Sequence, residues 1–217
     1  MPVRTIPLSR SSVTGRHNPG RGARAIAFES TLERDFILLM RFDPDVEAIE
    51  EQPVRISYRD EEGKSRHNTP DFLVTRSNGA NQLVEVKPSS RVTPDLDMKF
   101  HAAREFSRSR GWKFELWTEK EIRIPRLENA VFLKPFNNQS SDEGVAQEIE
   151  GYLSRIRDVQ IGRMFEELWP DEHERAHALP TVWAMIADGT LSCDLDRVID
   201  GTSKVWFAAG GNDAGNH

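Results

Sequence analysis

Between Pro70 and Pro88 the chain reads PDFLVTRSNGANQLVEVKP, and no other stretch narrows its fold as much. Phe72-Leu73-Val74-Thr75 is an apolar run, Ser77-Asn78-Gly79 carries turn chemistry, and Gln82–Lys87 is a further run whose apolar content is Leu83, Val84 and Val86. This predicts two strands joined by a turn, with charged residues at their open ends. Asp71 heads the first strand, 13 residues (72–84) separate it from Glu85, and Lys87 follows two places later. Residues two apart on a strand share a face, so Glu85 and Lys87 project together while Val84 and Val86 turn to the other face, into core.

An isolated Asp and a Glu-x-Lys are also what a solvated strand face with a surface ion pair looks like. The Pro-Asp-Phe-Leu-Val run upstream, the spacing and an acidic helix before them favour a site. Two carboxylates from adjacent strands suit Mg²⁺, a hard ion that takes oxygen ligands and keeps several waters; Mn²⁺ is expected to substitute. A metal so held lowers the pKa of an attacking water and neutralises phosphoryl oxygens, and Lys87 is placed to orient that water or stabilise developing negative charge. Glu33 is the third carboxylate, as a metal ligand or a support for one. It also forms a capping-box pattern with Ser30, which would turn it toward its own helix terminus. Glu29 is a weaker rival for the same role.

Around this hairpin the pattern predicts an α/β domain with a mixed sheet. Leu32, Phe36, Leu39 and Met40 share one helical face, and Asp43-Pro44-Asp45 stops that helix. Val46–Pro53 reads as a connection, Val54–Tyr58 as a strand, Leu96–Ser109 as a helix and Phe114–Trp117 as a strand. Ala130–Leu133 reads as a further strand or a helix edge. The polar stretch NNQSSDEG (137–144) marks a boundary. Beyond it come helices over Val145–Arg157, Ile161–Trp169 and Pro180–Ala187, then strands at Gly189–Leu195 and Lys204–Phe207. That is the outline of a winged helix, packed in part by Trp169 and Trp206. The expected domains are a basic flexible arm (1–27), a catalytic domain (28–137) and a winged-helix-like domain (144–217).

The segments Phe28–Pro53, Thr69–Pro88 and Phe114–Ile122 resemble the TnsA family of transposon-end endonucleases, within the PD-(D/E)xK restriction-endonuclease-like superfamily. With the helix between the last two segments the resemblance covers about 28–136. It implies a restriction-endonuclease-like mixed sheet flanked by helices. It also implies that Glu33, Asp71, Glu85 and Lys87 are catalytic, Asp71 and Glu85 being the metal ligands. Some family members carry Gln where this chain has Glu85, so the carboxylate is retained here. The implied activity is Mg²⁺-dependent hydrolysis at the 5′ ends of a mobile element, beside a DDE transposase (TnsB-like) that cuts the 3′ ends and an AAA+ ATPase regulator (TnsC-like). A winged-helix second domain is also implied.

Further candidates concern DNA. Ser89, Ser90 and Arg91 follow Lys87 directly and are placed to meet a phosphate, unless they form only a strand-to-helix turn. Lys99, Arg104 and Arg108 lie on the helix behind the site, with Arg110 and Lys113 just after it, and suit a phosphate-tracking face. His67 and His101 are minor candidates for proton shuttles.

Net charge needs its distribution to be informative. The chain of 217 residues carries a formal charge of −6, which argues against coating DNA through bulk positive charge. From residue 141 onward 15 acidic side chains face six basic ones, leaving −9 there and +3 on residues 1–140. The first value is compatible with DNA held through a metal site and a few placed cations; the second suggests a basic protein partner. A single cysteine, Cys193, excludes an intramolecular disulfide. No apolar run approaches a membrane span and the first residues lack a secretory core. The expectation is a cytoplasmic, bacterial protein, nucleoid-associated when assembled. The alternatives are a catalytically silent DNA-docking or assembly subunit, and a stand-alone phage or restriction-type nuclease.

Overall fold

The structure is a computed structural model that describes residues 15–17 and 26–207. It divides into two compact units, residues 1–124 and 125–217. Most of the expected basic arm lies outside the described residues. Within it, Gly15–His17 is a short strand, β1, that pairs antiparallel with β2 (Ile26–Phe28).

The first unit continues with α1 (Thr31–Arg41), β3 (Val46–Glu51), β4 (Ile56–Arg59), β5 (Ser65–Asn68), β6 (Phe72–Arg76), β7 (Asn81–Val86), α2 (Asp97–Ser109), β8 (Lys113–Trp117) and the short α3 (Glu119–Ile122). A four-stranded mixed sheet runs in the order β3-β6-β7-β8. The first two pairings are antiparallel and β7–β8 is parallel, because α2 carries the chain back between them. The turn between β6 and β7 needs Gly79, whose φ is 80°, and Asn78 Oδ1 accepts the Ala80 N–H there at 2.9 Å. β4 and β5 form a separate two-stranded ribbon.

Register decides what each sheet face meets. Phe72 pairs with Val84, and Val86 with Trp117, so these side chains share the face toward α1. Phe36 of α1 is fully buried there, stacked on Phe72 at 5.1 Å and edge-on to Trp117 at 5.3 Å. Full burial of one such side chain stabilises by roughly 1.5–3 kcal/mol. The opposite face carries Leu73, Leu83 and Phe114, packed with Ala103 of α2 and Ile56 of β4. Both faces of β7 are therefore covered, whereas the sequence alone suggests that only the Val84 and Val86 face is.

Besides the short β1 and β2, two further strands of this unit escape the sequence reading. The connection expected at Val46–Pro53 is β3, an edge strand rich in carboxylates, and Ser65–Asn68 pairs with β4 despite having no apolar alternation.

The second unit holds α4 (Pro125–Leu133), α5 (Glu143–Leu153), β9 (Val159–Gln160), α6 (Ile161–Leu168), α7 (Glu172–Ala187), β10 (Leu191–Cys193) and β11 (Lys204–Phe207). A three-stranded antiparallel sheet runs β10-β11-β9. The segment Ala130–Leu133 is the end of a helix, and that helix falls in the second unit, so the units divide before the polar stretch at 137–144. Buried Asn129 contributes to its attachment: its Nδ2 donates to the carbonyls of Leu195 and Arg197, and its Oδ1 accepts from Ile199 N–H, while Arg126 pairs with Asp196 and Phe132 packs on Trp183. Helix α7 begins eight residues before Pro180, because Asp171 caps it by accepting from His173 and Glu174 N–H. Trp169 is buried against Phe165, whereas Trp206 alternates outward from buried Val205 and is 36 % exposed.

Candidate active site

Asp71 stands one residue before β6. Extending the Phe72–Val84 pairing by that residue sets it opposite Glu85, and extending the Glu51–Phe72 pairing sets Gln52 on its other side. The pattern Pro-Asp-Phe-Leu-Val thus works through register, since antiparallel pairing brings two residues 14 apart in sequence side by side at one end of the sheet. The backbone is tied on both flanks. Gln52 N–H donates to the Asp71 carbonyl at 2.8 Å, and Val86 N–H donates to Asp71 Oδ2 at 2.7 Å. Gln52 itself is buried with φ 45°, a left-handed conformation uncommon for a residue with a Cβ.

Glu85 is 4 % exposed. Its Oε1 accepts from Lys99 Nζ of α2 at 2.5 Å, and Lys87 Nζ lies 3.9 Å from the same oxygen. Its Oε2 is buried with no hydrogen-bond partner. A buried carboxylate oxygen without a partner is costly in a folded protein and rare. Asp71 is held with its carboxyl well above the usual aspartate range. Burial is the main cause, followed by the charges of Glu85 and Glu33, with the Val86 N–H and the Lys99 charge working against them. The end of the sheet therefore concentrates negative charge that a cation would relieve.

Glu33 takes the capping part expected of it. Its Oε2 accepts Glu29 N–H at 2.7 Å and its Oε1 accepts the Ser30 hydroxyl at 2.9 Å, while Ser30 Oγ accepts Glu33 N–H at 3.1 Å. It is thus a capping carboxylate whose charge still reaches Asp71. Glu29 accepts from Gln52 Nε2 at 3.4 Å, so it braces the strand end rather than replacing Glu33. Among the described residues no group of three or more His, Cys, Asp and Glu side chains is disposed to hold a metal ion. What the geometry offers is a carboxylate pair, and Mg²⁺ is commonly held by one or two carboxylates with waters completing its shell.

The other candidates are spread around this centre. Ser89 is engaged by Glu119: its N–H donates to Oε2 at 2.9 Å and its hydroxyl to Oε1, which draws the Glu119 carboxyl down to about 2. That bond anchors the turn after Lys87 to the start of α3. Ser90 and Arg91 are exposed beside it. Arg104 is exposed on α2, its guanidinium 5.9 Å from the Phe114 ring, and Arg108 pairs with Glu105 at 2.6 Å. Lys99 does not join that outer face; it turns inward to Glu85. His67 meets Ser57 on the β4–β5 ribbon at 3.1 Å, and His101 is exposed on α2. The roles of Lys99 and Gln52 escape a sequence reading because both depend on how separate segments meet; the only local signal is that Gln52 precedes a proline.

In the second unit, burial pushes the Cys193 thiol up to about 11, the opposite of an activated nucleophile. No helix among the described residues is long and apolar enough to cross a membrane. No curated protein matches the chain. Residues 43–119 match a family model described as TnsA-like endonuclease N terminal, a span that holds Asp71, Glu85, Lys87 and Lys99 but not Glu33. The chain thus carries a TnsA-like endonuclease domain, and the match supports membership of the TnsA family that its sequence resembles.

Proposed function

We propose that this protein is a Mg²⁺-dependent DNA endonuclease that cuts the 5′ ends of a mobile element as one subunit of a heteromeric transposase. The observation that carries the chemistry is the in-register pair Asp71 and Glu85. Each is tied by one oxygen, Asp71 Oδ2 to Val86 N–H and Glu85 Oε1 to Lys99, and Glu85 Oε2 is left without a partner. These residues fit a divalent cation, and Asp71 and Glu85 would hold it. The chemistry that a bound Mg²⁺ supplies is a water of lowered pKa and neutralisation of the scissile phosphate. Lys87, 23 % exposed at the end of β7, directs a positive charge to the same place, where it stabilises the negative charge that builds on phosphoryl oxygens. Glu33 adds negative potential from the cap of α1, which favours the cation over a bare carboxylate pair.

The TnsA-like match implies a transposition system with a DNA substrate and weighs against a stand-alone phage or restriction-type nuclease. In that setting the partners are a DDE transposase (TnsB-like) and an AAA+ ATPase (TnsC-like). The second unit runs α5–β9–α6–α7–β10–β11, an order that supports a winged-helix reading. Its excess of acid suits a basic protein surface better than free DNA.

The test is cleavage of supercoiled plasmid bearing the element's ends, in Mg²⁺, with and without the neighbouring transposase. Asp71→Ala and Lys87→Ala are expected to lower cleavage by about 10²–10³ or more with DNA binding kept. Unchanged cleavage in both variants would overturn the assignment.

A further inference from the structure

The two oxygens of Glu85 have different surroundings. Oε1 receives Lys99 at 2.5 Å and faces Lys87 at 3.9 Å; Oε2 is buried and unpartnered. Lys99 reaches this point from α2, the helix packed through Ala103 on Leu83, two residues before Glu85 and on the same strand face. Its side chain is only 19 % exposed, unlike the solvated Arg104 and Arg108 on the same helix. A long amine turned in from a packed helix fixes the rotamer of a buried carboxylate, because the ammonium has one acceptor at 2.5 Å and the carboxylate a single strong donor.

We propose that Lys99 is a positioning residue: it secures Glu85 by Oε1 so that Oε2 is the oxygen offered to the divalent cation. This rests on the metal-dependent reading above. On this account Lys99 keeps its place when the cation arrives, whereas an ammonium that merely occupied the cation's position would be displaced. Groups that orient a ligating carboxylate or imidazole typically contribute 10–100-fold to metal affinity.

Two measurements on the full chain test it, with Mn²⁺ as the probe. In calorimetric titration, wild type binds Mn²⁺, Glu85→Gln loses binding, and Lys99→Met, which keeps the apolar stem, binds about tenfold or more weakly. In wild type, labelling by an amine-reactive reagent, read peptide by peptide, leaves Lys99 equally protected with and without Mn²⁺, with Lys113, 72 % exposed, as the reactive reference. Lys99→Met binding as tightly as wild type, or a several-fold rise in Lys99 labelling on adding Mn²⁺, overturns the proposal. If those results come with loss of binding in Glu85→Gln, the metal site stands and only the role of Lys99 falls. If wild type binds no Mn²⁺, both fall. The labelling arm needs no variant, so it decides even where Lys99→Met does not fold.

Discussion

A carboxylate pair at the end of a sheet stores electrostatic cost, and Asp71 shows it most clearly. Its carboxyl sits well above the usual range through burial and through the charges of Glu85 and Glu33, so between the unfolded and folded values the native state binds more protons than the unfolded chain. Stability of the metal-free protein therefore falls as pH rises from the ordinary aspartate range, about 3.9, through the raised value. Asp71→Asn keeps an acceptor for Val86 N–H and removes the charge. In chelator, its unfolding midpoint is expected to exceed that of wild type by a margin that grows with pH, while cleavage is lost. Parallel stability curves from pH 4 to 8 would contradict this. At this scale much was legible in the residues alone. Asp71, Glu85 and Lys87 sit within one hairpin, so strand periodicity and spacing suffice to group them. The Lys99–Glu85 pair was not, because it depends on how α2 crosses β7, and Lys99 reads as one more cation on a charged helix.

Elements were readable in proportion to how much each depends on its own residues. The central strands β6 and β7 carry apolar runs bounded by turn chemistry, and α1 carries a periodic face and its own cap. β3 and β5 carry neither; the first is an edge strand rich in carboxylates, and the second is held by its partner β4. Helix α7 starts earlier than its sequence suggests, because Pro180 reads as a first-turn residue whereas the cap, Asp171, lies nine residues before it. Helix α4 belongs to the second unit through buried Asn129, the Arg126–Asp196 pair and the packing of Phe132 on Trp183, all long-range contacts that a sequence cannot announce. Asn129→Ala removes two donors and one acceptor from the 195–199 loop, whose carbonyls then lose their partners. The expected cost is roughly 1–3 kcal/mol, measured by denaturant unfolding. A loss below about 0.3 kcal/mol would mean that solvent replaces those bonds and that α4 is held by its other contacts.

At the level of the whole molecule, charge is unevenly distributed along the chain. A net −6 conceals +3 on residues 1–140 and −9 beyond them, so the bulk charge that bars a DNA-coating role leaves a metal-centred nuclease open. The family match covers residues 43–119 only, which places the TnsA-like character in the unit that holds the carboxylate pair. The most direct measurement is strand-resolved mapping of cuts at the ends of a mobile element by the full chain, assembled with the DDE transposase proposed as its partner, in Mg²⁺. Wild type is expected to yield cuts at both 5′ and 3′ strand ends. Glu85→Gln should lose the 5′ cuts and keep the 3′ cuts made by the partner. Persistence of the 5′ cuts in Glu85→Gln would contradict the account.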